Sequence, residues 1–325
     1  MTRTCLLHQK AFRRMEDELR GYAAEVDFIT MDDEGVFANG FTGEPVSQPV
    51  PDMVFGNTDF FFGPKVRAFF RFLIDLPDLD WFQSSAAGMD NETLQAVHAK
   101  ARLYTTNHTQ SEAMAEWAIW QALDWLKAGR QHRAQEKEAE WHRIYHRDFI
   151  GSKWLIVGYG AIGQAVARRV KALGGLVTGV RRSGGTDDYA DAIVTPEEMG
   201  AALRDADITL LCLPHTPETE NMADADFFAA MKDDAMFMNL GRGALVDEAA
   251  LIAEMDRGKP AFAALDVTAT EPLPEASPLW RHPNIAITPH DSSLTLGTFV
   301  RADETFLANL KRYLAGEELI HLAPK

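Results

Sequence analysis

An apolar strand, a glycine-rich turn and an amphipathic helix follow one another without a break between residues 154 and 173. Trp154-Leu-Ile-Val157 supplies the strand, and Gly158-Tyr-Gly160-Ala161-Ile162-Gly163 the turn, in the pattern G-x-G-x-x-G. Ala165, Val166 and Val170 then recur at helical spacing. In that setting the glycines have separate tasks. Gly158 permits a tight turn, Gly160 lets the backbone approach a pyrophosphate, and Gly163 lets helix and strand pack closely. The helix N-terminus at Ala161 and Ile162 turns free N–H groups and a partial positive charge toward the phosphates. A chain with this unit is expected to hold a dinucleotide on an α/β sheet.

The surrounding pattern agrees. Residues 176–180, 208–213, 236–240 and 261–267 are further short apolar runs, with helical stretches between most of them. This rhythm predicts a doubly wound parallel sheet. The first third repeats it on a smaller scale. Residues 4–7, 26–29, 53–55 and 81–83 read as strands, and 66–76 as a helix. Phe12, Met15, Leu19 and Tyr22 recur at helical spacing. Residues 32–51, rich in Gly, Pro, Asn and acids, are expected to form a surface loop. Residues 111–127 predict a helix that is apolar except for a stripe of Glu112, Glu116 and Asp124, and so buried from several sides. Residues 131–147 are polar, with Trp141 and Tyr145 standing out. They read as an exposed connecting helix, or as an arm embracing a partner subunit.

Composition limits the partners. The 325 residues suit two domains. Asp and Glu number 48 against 32 Lys and Arg, a formal net charge of -16. That balance disfavours a nucleic-acid binder, which needs a basic surface, yet allows one local basic pocket. The two cysteines, Cys5 and Cys212, make no disulfide framework and fit a reducing compartment. No apolar run approaches a membrane span, and the N-terminus turns polar too soon for a signal peptide. A cytoplasmic protein without nucleic-acid or membrane partners is expected.

The second strand bears on which nucleotide is held. A NAD-selective site places an acid about 20 residues beyond the fingerprint, on the ribose hydroxyls. Here Val180 leads into Arg181-Arg182-Ser183. Two guanidinium groups and a hydroxyl suit a dianionic 2′-phosphate, so NADP(H) is expected to be preferred, with NAD(H) possible. The plain alternative is that both arginines only solvate a strand end.

Three later motifs carry chemistry. Asn239-Leu240-Gly241-Arg242-Gly243 brings an arginine close to a ligand, where it can hold a carboxylate and polarise a carbonyl. Asp266-Val is followed by Glu271-Pro-Leu-Pro274, and Ile287-Thr-Pro leads to His290. A histidine paired with a carboxylate can stay protonated and donate to a developing alkoxide. Each residue has a plain alternative: a surface ion pair for Arg242, a solvated acid for Glu271, a structural histidine for His290. The conjunction, in that order and near predicted strand ends, favours a site.

These motifs resemble the D-isomer-specific 2-hydroxyacid dehydrogenase family, and within it the bacterial glyoxylate/hydroxypyruvate reductases. Leu213-Pro214-His-Thr-Pro-Glu-Thr219, Pro278-Leu-Trp and Ser85-Ala-Ala-Gly88-Met-Asp90 also match. The resemblance implies two doubly wound α/β domains, with a Rossmann-type cofactor domain inserted into a flavodoxin-like substrate domain. Residues 1–104 and 294–325 would form the substrate domain, and 105–293 the cofactor domain with dimerisation helices near 111–147. It implies His290 as acid/base, Glu271 as its orienting partner and Arg242 as carboxylate anchor. Backbone N–H groups at Ala87 and Gly88 would also hold the carboxylate, and Trp141 would contact substrate across a homodimer. Asp266 would position the nicotinamide amide. Leu213, Pro214, Thr219, Leu240, Gly241, His290 and Ser292 would line the nucleotide. No metal is implied.

The expected activity is NADP(H)-preferring reduction of a small 2-oxo acid to a D-2-hydroxy acid. Two alternatives stay open: an NAD-dependent D-2-hydroxyacid dehydrogenase, and a nucleotide-sensing, corepressor-like protein without turnover.

Overall fold

The computed structural model describes residues 2–86, 88 and 92–324. The chain divides into two compact units, Met1–Gln110 with Thr295–Lys325, and Ser111–Leu294.

The first unit is built on six strands: β1 (Arg3–His8), β2 (Val26–Met31), β3 (Phe37–Asn39), β4 (Met53–Gly56), β5 (Trp81–Ser84) and β6 (Leu103–Thr105). Their order is β3-β2-β1-β4-β5-β6. All neighbours are parallel except β3, which runs antiparallel to β2. Part of the expected 32–51 loop is therefore an edge strand. Phe37 anchors it, its ring 5.0 Å from that of Phe72. The helical pattern from Phe12 to Leu19 forms two short helices, Gln9–Arg14 and Glu16–Arg20, broken at Met15. Phe12, Met15 and Leu19 pack with Phe306 and Leu310 of the helix Leu296–Ala315 in one buried layer. Phe69 and Leu73, from the helix Val66–Asp75, lie in another with Leu6 and Val54. Strands covered on both faces tolerate near-continuous apolar runs, as in Cys5-Leu-Leu7 and Met53-Val-Phe55, all buried.

The second unit holds seven strands: β7 (Lys153–Val157), β8 (Leu176–Val180), β9 (Ala192–Val194), β10 (Ile208–Leu211), β11 (Met236–Asn239), β12 (Phe262–Leu265) and β13 (Ile285–Ile287). Their order is β13-β12-β11-β10-β7-β8-β9, and every pairing is parallel. Chain order thus reverses between β7 and β10, the switch point of a Rossmann-type sheet, where ligands bind outside the carboxyl ends of strands. Trp117, Ala118, Val166 and Val170, on the helices Ser111–Leu126 and Ala161–Ala172, share a core with Trp154, Ile156 and Leu210. Phe227, Phe228 and Leu251 share another with Leu155, Leu211 and Phe237.

The helix Ser111–Leu126 is buried along much of its length, and Glu112 meets both Arg168 and Arg169 at 2.7 Å. Trp120 on the same helix is 54% exposed. The next helix spans only Gly129–Lys137, and residues 140–148 have no regular structure. No apolar stripe supports a longer helix there, and Trp141 and Tyr145 are fully open to solvent. Cys5 and Cys212 are both free thiols, and burial pushes the Cys212 thiol up to about 12. Among the described residues, no helix is long and apolar enough to cross a membrane.

Candidate active site

Loops leaving the carboxyl ends of β7, β8, β10, β11, β12 and β13 carry the residues singled out above, apart from Ala87, Gly88 and Trp141. Gly158 has φ +97°, and a Cβ there would lie 2.7 Å from Leu213 N. Only glycine lets this turn approach the end of β10 so closely. Gly163 packs against the turn, where a Cβ would meet Gly158 O at 2.8 Å. Gly160 differs: a Cβ would meet nothing within 4 Å. That open space lies at the N-cap of the helix Ala161–Ala172 and fits a pyrophosphate. Ala161 is exposed, whereas Ile162 packs partly into the core.

Past β8, Arg181 turns back on its own loop. Its Nε donates to Gly184 O at 2.5 Å and a terminal N–H to Thr186 O at 3.3 Å. Arg182 and Ser183 are exposed. Past β10, Leu213 is half-buried and Pro214 exposed. Thr219 closes that loop on itself, accepting from Thr216 N at 2.8 Å and donating to Pro214 O at 3.0 Å.

Past β11, Leu240 is a buried core residue. The fully buried Asn239 holds the turn that follows. Its Oδ1 accepts from Gly241 N at 2.9 Å and its Nδ2 donates to Arg242 O at 2.8 Å. The Arg242 guanidinium donates to Gly241 O at 2.8 Å and its side chain is half-buried. Gly243 lies so close to the chain past β12 that a Cβ would sit 2.0 Å from Thr268 C and O.

That contact leads to the acid and the histidine. Glu271 Oε1 accepts from Thr268 N at 3.1 Å, and Oε2 lies 2.8 Å from His290 Nδ1. His290 itself has φ +54°, an uncommon backbone for a non-glycine residue. Asp266, 2% exposed, secures it. The Asp266 carbonyl accepts from His290 N at 2.8 Å. Its carboxylate accepts from Asp291 N at 3.1 Å, Ser292 N at 3.2 Å and the Thr288 hydroxyl at 2.5 Å. Thr288 Oγ1 accepts in turn from Trp117 Nε1 at 3.0 Å. Asp266, Glu271, His290 and Ser292 thus stand together.

Trp141 is not drawn into this group: its side chain is 95% exposed. Gly88 is half-buried in the first unit, and Ala87 lies outside the described residues. Asn239, Thr288 and Trp117 were not foreseen as site residues. A polar residue closing the apolar run Met236-Phe-Met was the one sequence sign of Asn239.

Residues 119–292 match the family model described as D-isomer specific 2-hydroxyacid dehydrogenase, NAD binding domain. The chain belongs to the D-isomer specific 2-hydroxyacid dehydrogenase family, a family of oxidoreductases, and carries its NAD-binding domain. A glyoxylate/hydroxypyruvate reductase A from Serratia proteamaculans is 32% identical over 225 residues, 69% of this chain and 71% of the relative. One of the same name from Escherichia fergusonii is 36% identical over 188 residues, which cover 57% of this chain but only 59% of that relative. Among solved structures, a D-isomer specific 2-hydroxyacid dehydrogenase family protein from Aeromonas salmonicida aligns with a TM-score of 0.80 at 27% identity, over 100% of this chain and 99% of that one. An NADPH-dependent glyoxylate/hydroxypyruvate reductase from Sinorhizobium meliloti, in complex with NADP and sulfate, aligns at 0.77 with 25% identity, over 99% and 98%.

Proposed function

We propose that the protein reduces small 2-oxo acids to D-2-hydroxy acids with NADP(H) preferred, as a glyoxylate/hydroxypyruvate reductase. The observation that carries this reading is the 2.8 Å pair of His290 Nδ1 and Glu271 Oε2. With Nδ1 given to Glu271, Nε2 is the nitrogen that faces substrate. A protonated His290 donates from Nε2 to the carbonyl oxygen as C2 is reduced, and Glu271 keeps the ring oriented and its positive charge balanced. Arg242, held by the Asn239 turn, anchors the substrate carboxylate and draws electron density from the adjacent carbonyl. When bound, the reduced nicotinamide supplies the hydrogen and two electrons that C2 receives, and the glycine turn with the open space at Gly160 holds its pyrophosphate. Asp266 orients the nicotinamide amide while fixing the His290 turn.

Preference for NADP(H) is supported by Arg182 and Ser183, exposed at the position that meets the adenosine ribose, and by the NADPH dependence of the Sinorhizobium meliloti relative. The exposed Trp120, beside Ile119 and Leu123, supports a homodimer through that helix. The test of the chemistry is His290→Ala. Turnover should fall by about 10²–10⁴ while nucleotide affinity holds. Unchanged turnover would remove His290 as the proton donor.

A further inference from the structure

Tyr159 is the middle residue of Gly158-Tyr-Gly160 and is 3% exposed. It lies against Gly179 of β8, where a Cβ would come within 2.4 Å of Tyr159 Cδ2. So placed, the phenol reaches the loop past β8. Its hydroxyl donates to Asp187 Oδ1 at 3.0 Å, and Gln164 Nε2 donates to Asp187 Oδ2 at 3.3 Å. Tyr189 N also donates to Oδ1, at 2.9 Å. Burial and the neighbouring carboxylate both push the Tyr159 phenol well above the usual tyrosine range, so it stays a donor.

Asp187 is the first acid in the sequence after Gly163. In an NAD-selective site an acid on this loop accepts from the ribose hydroxyls. Here its two oxygens are turned onto Tyr159 and Gln164. Arg181 tightens the same loop through Gly184 and Thr186, and Arg182 and Ser183 are exposed. We infer that Tyr159 and Gln164 form a clamp that withholds the Asp187 carboxylate from the ribose and so sets the preference for a 2′-phosphorylated dinucleotide. The inference rests on the cofactor preference proposed above and names residues that help to produce it. Releasing the clamp exposes a negative charge to a dianionic phosphate, which repels it. It also frees an acceptor for an unphosphorylated 2′-hydroxyl.

The test measures dissociation constants of NADPH and NADH by nicotinamide fluorescence, with 2′,5′-ADP and 5′-AMP as probes lacking the redox group. Tyr159→Phe should shift the NADPH-to-NADH affinity ratio toward NADH by about tenfold, the order of one partly screened charge contact. The 2′,5′-ADP to 5′-AMP ratio should move with it. Tyr159→Phe combined with Asp187→Asn should restore the wild-type ratio, because the released group then has no charge. Gln164→Met, which removes one tether and leaves the ring packing intact, should shift the ratio the same way by a smaller factor. It keeps the test open if the tyrosine variant fails to fold. A ratio unmoved in both single variants, or a double variant no different from Tyr159→Phe, would overturn the clamp. A wild-type protein that binds both nucleotides alike would instead overturn the proposed preference, since the clamp is judged by the change in ratio.

Discussion

Glu271 joins two loops at once: one carboxylate oxygen lies 2.8 Å from His290 Nδ1, and the other accepts the Thr268 N–H at 3.1 Å. Its orientation is fixed by backbone, so its charge is delivered to the imidazole in one geometry. Glu271→Gln keeps the shape and removes the charge. It should lower kcat for oxo-acid reduction by about 10², with little change in KM. Steady-state kinetics on folded variant protein would check this. An equal rise in KM with kcat untouched would mean that Glu271 serves binding instead.

The two glycines Gly160 and Gly243 should respond in opposite ways to alanine. Gly160 has an ordinary extended backbone and open space around it. Gly160→Ala should melt like the wild type and lose nucleotide affinity by about tenfold or more, because its methyl enters the pyrophosphate space. At Gly243 a methyl would overlap Thr268. Gly243→Ala should cost about 1–3 kcal/mol of stability and displace Glu271 as well. Paired thermal melts and nucleotide titrations separate the two outcomes.

Thr288 links Trp117 Nε1 to the buried Asp266 carboxylate. Thr288→Val leaves both groups short of a partner and should cost about 1–3 kcal/mol in urea unfolding. Thr288→Ser retains the hydroxyl and should recover most of that loss. If valine and serine behave alike, the hydroxyl is not what matters.

The acid limb of stability has an assignable contributor in the first unit. The Arg102 guanidinium, aided by the Tyr313 hydroxyl and opposed by partial burial, holds Asp80 below the usual carboxylate range. A folded-state value below the unfolded one means stability that is present above the unfolded value, about 3.9, and lost as pH falls through the folded value. The stability gap between wild type and Asp80→Asn should therefore be full near neutral pH and close below about pH 4. Urea midpoints across that range would check it. A gap that widened on acidification would contradict the assignment.

The parts of this molecule that were readable from sequence are those in which local pattern and tertiary role coincide. The strand, glycine turn and helix from Lys153 to Ala172 announce themselves, because each glycine answers a steric demand within a few residues. The edge strands β3, β6, β9 and β13 were missed. Each has three residues and draws its order from a neighbouring strand more than from any alternation of its own. The sequence places Arg181 beside a phosphate; its bonds to the carbonyls of Gly184 and Thr186 come from loop closure, which is not written in residue types. The Thr288 link to Trp117 spans 171 positions, so no local signal could carry it. Asp187 escaped notice because the loop that turns it onto Tyr159 is longer than the usual ribose spacing.

The central claim is a 2-oxoacid reductase that prefers NADPH. The direct measurement follows loss of the reduced-nicotinamide absorbance, with NADPH and NADH in parallel, against oxo acids from glyoxylate through hydroxypyruvate to phenylpyruvate. Rapid oxidation of NADPH by glyoxylate or hydroxypyruvate, with NADH much poorer, is the expected result. Equal or better use of NADH would contradict the cofactor preference, and no turnover with either nucleotide across the series would contradict the reductase itself.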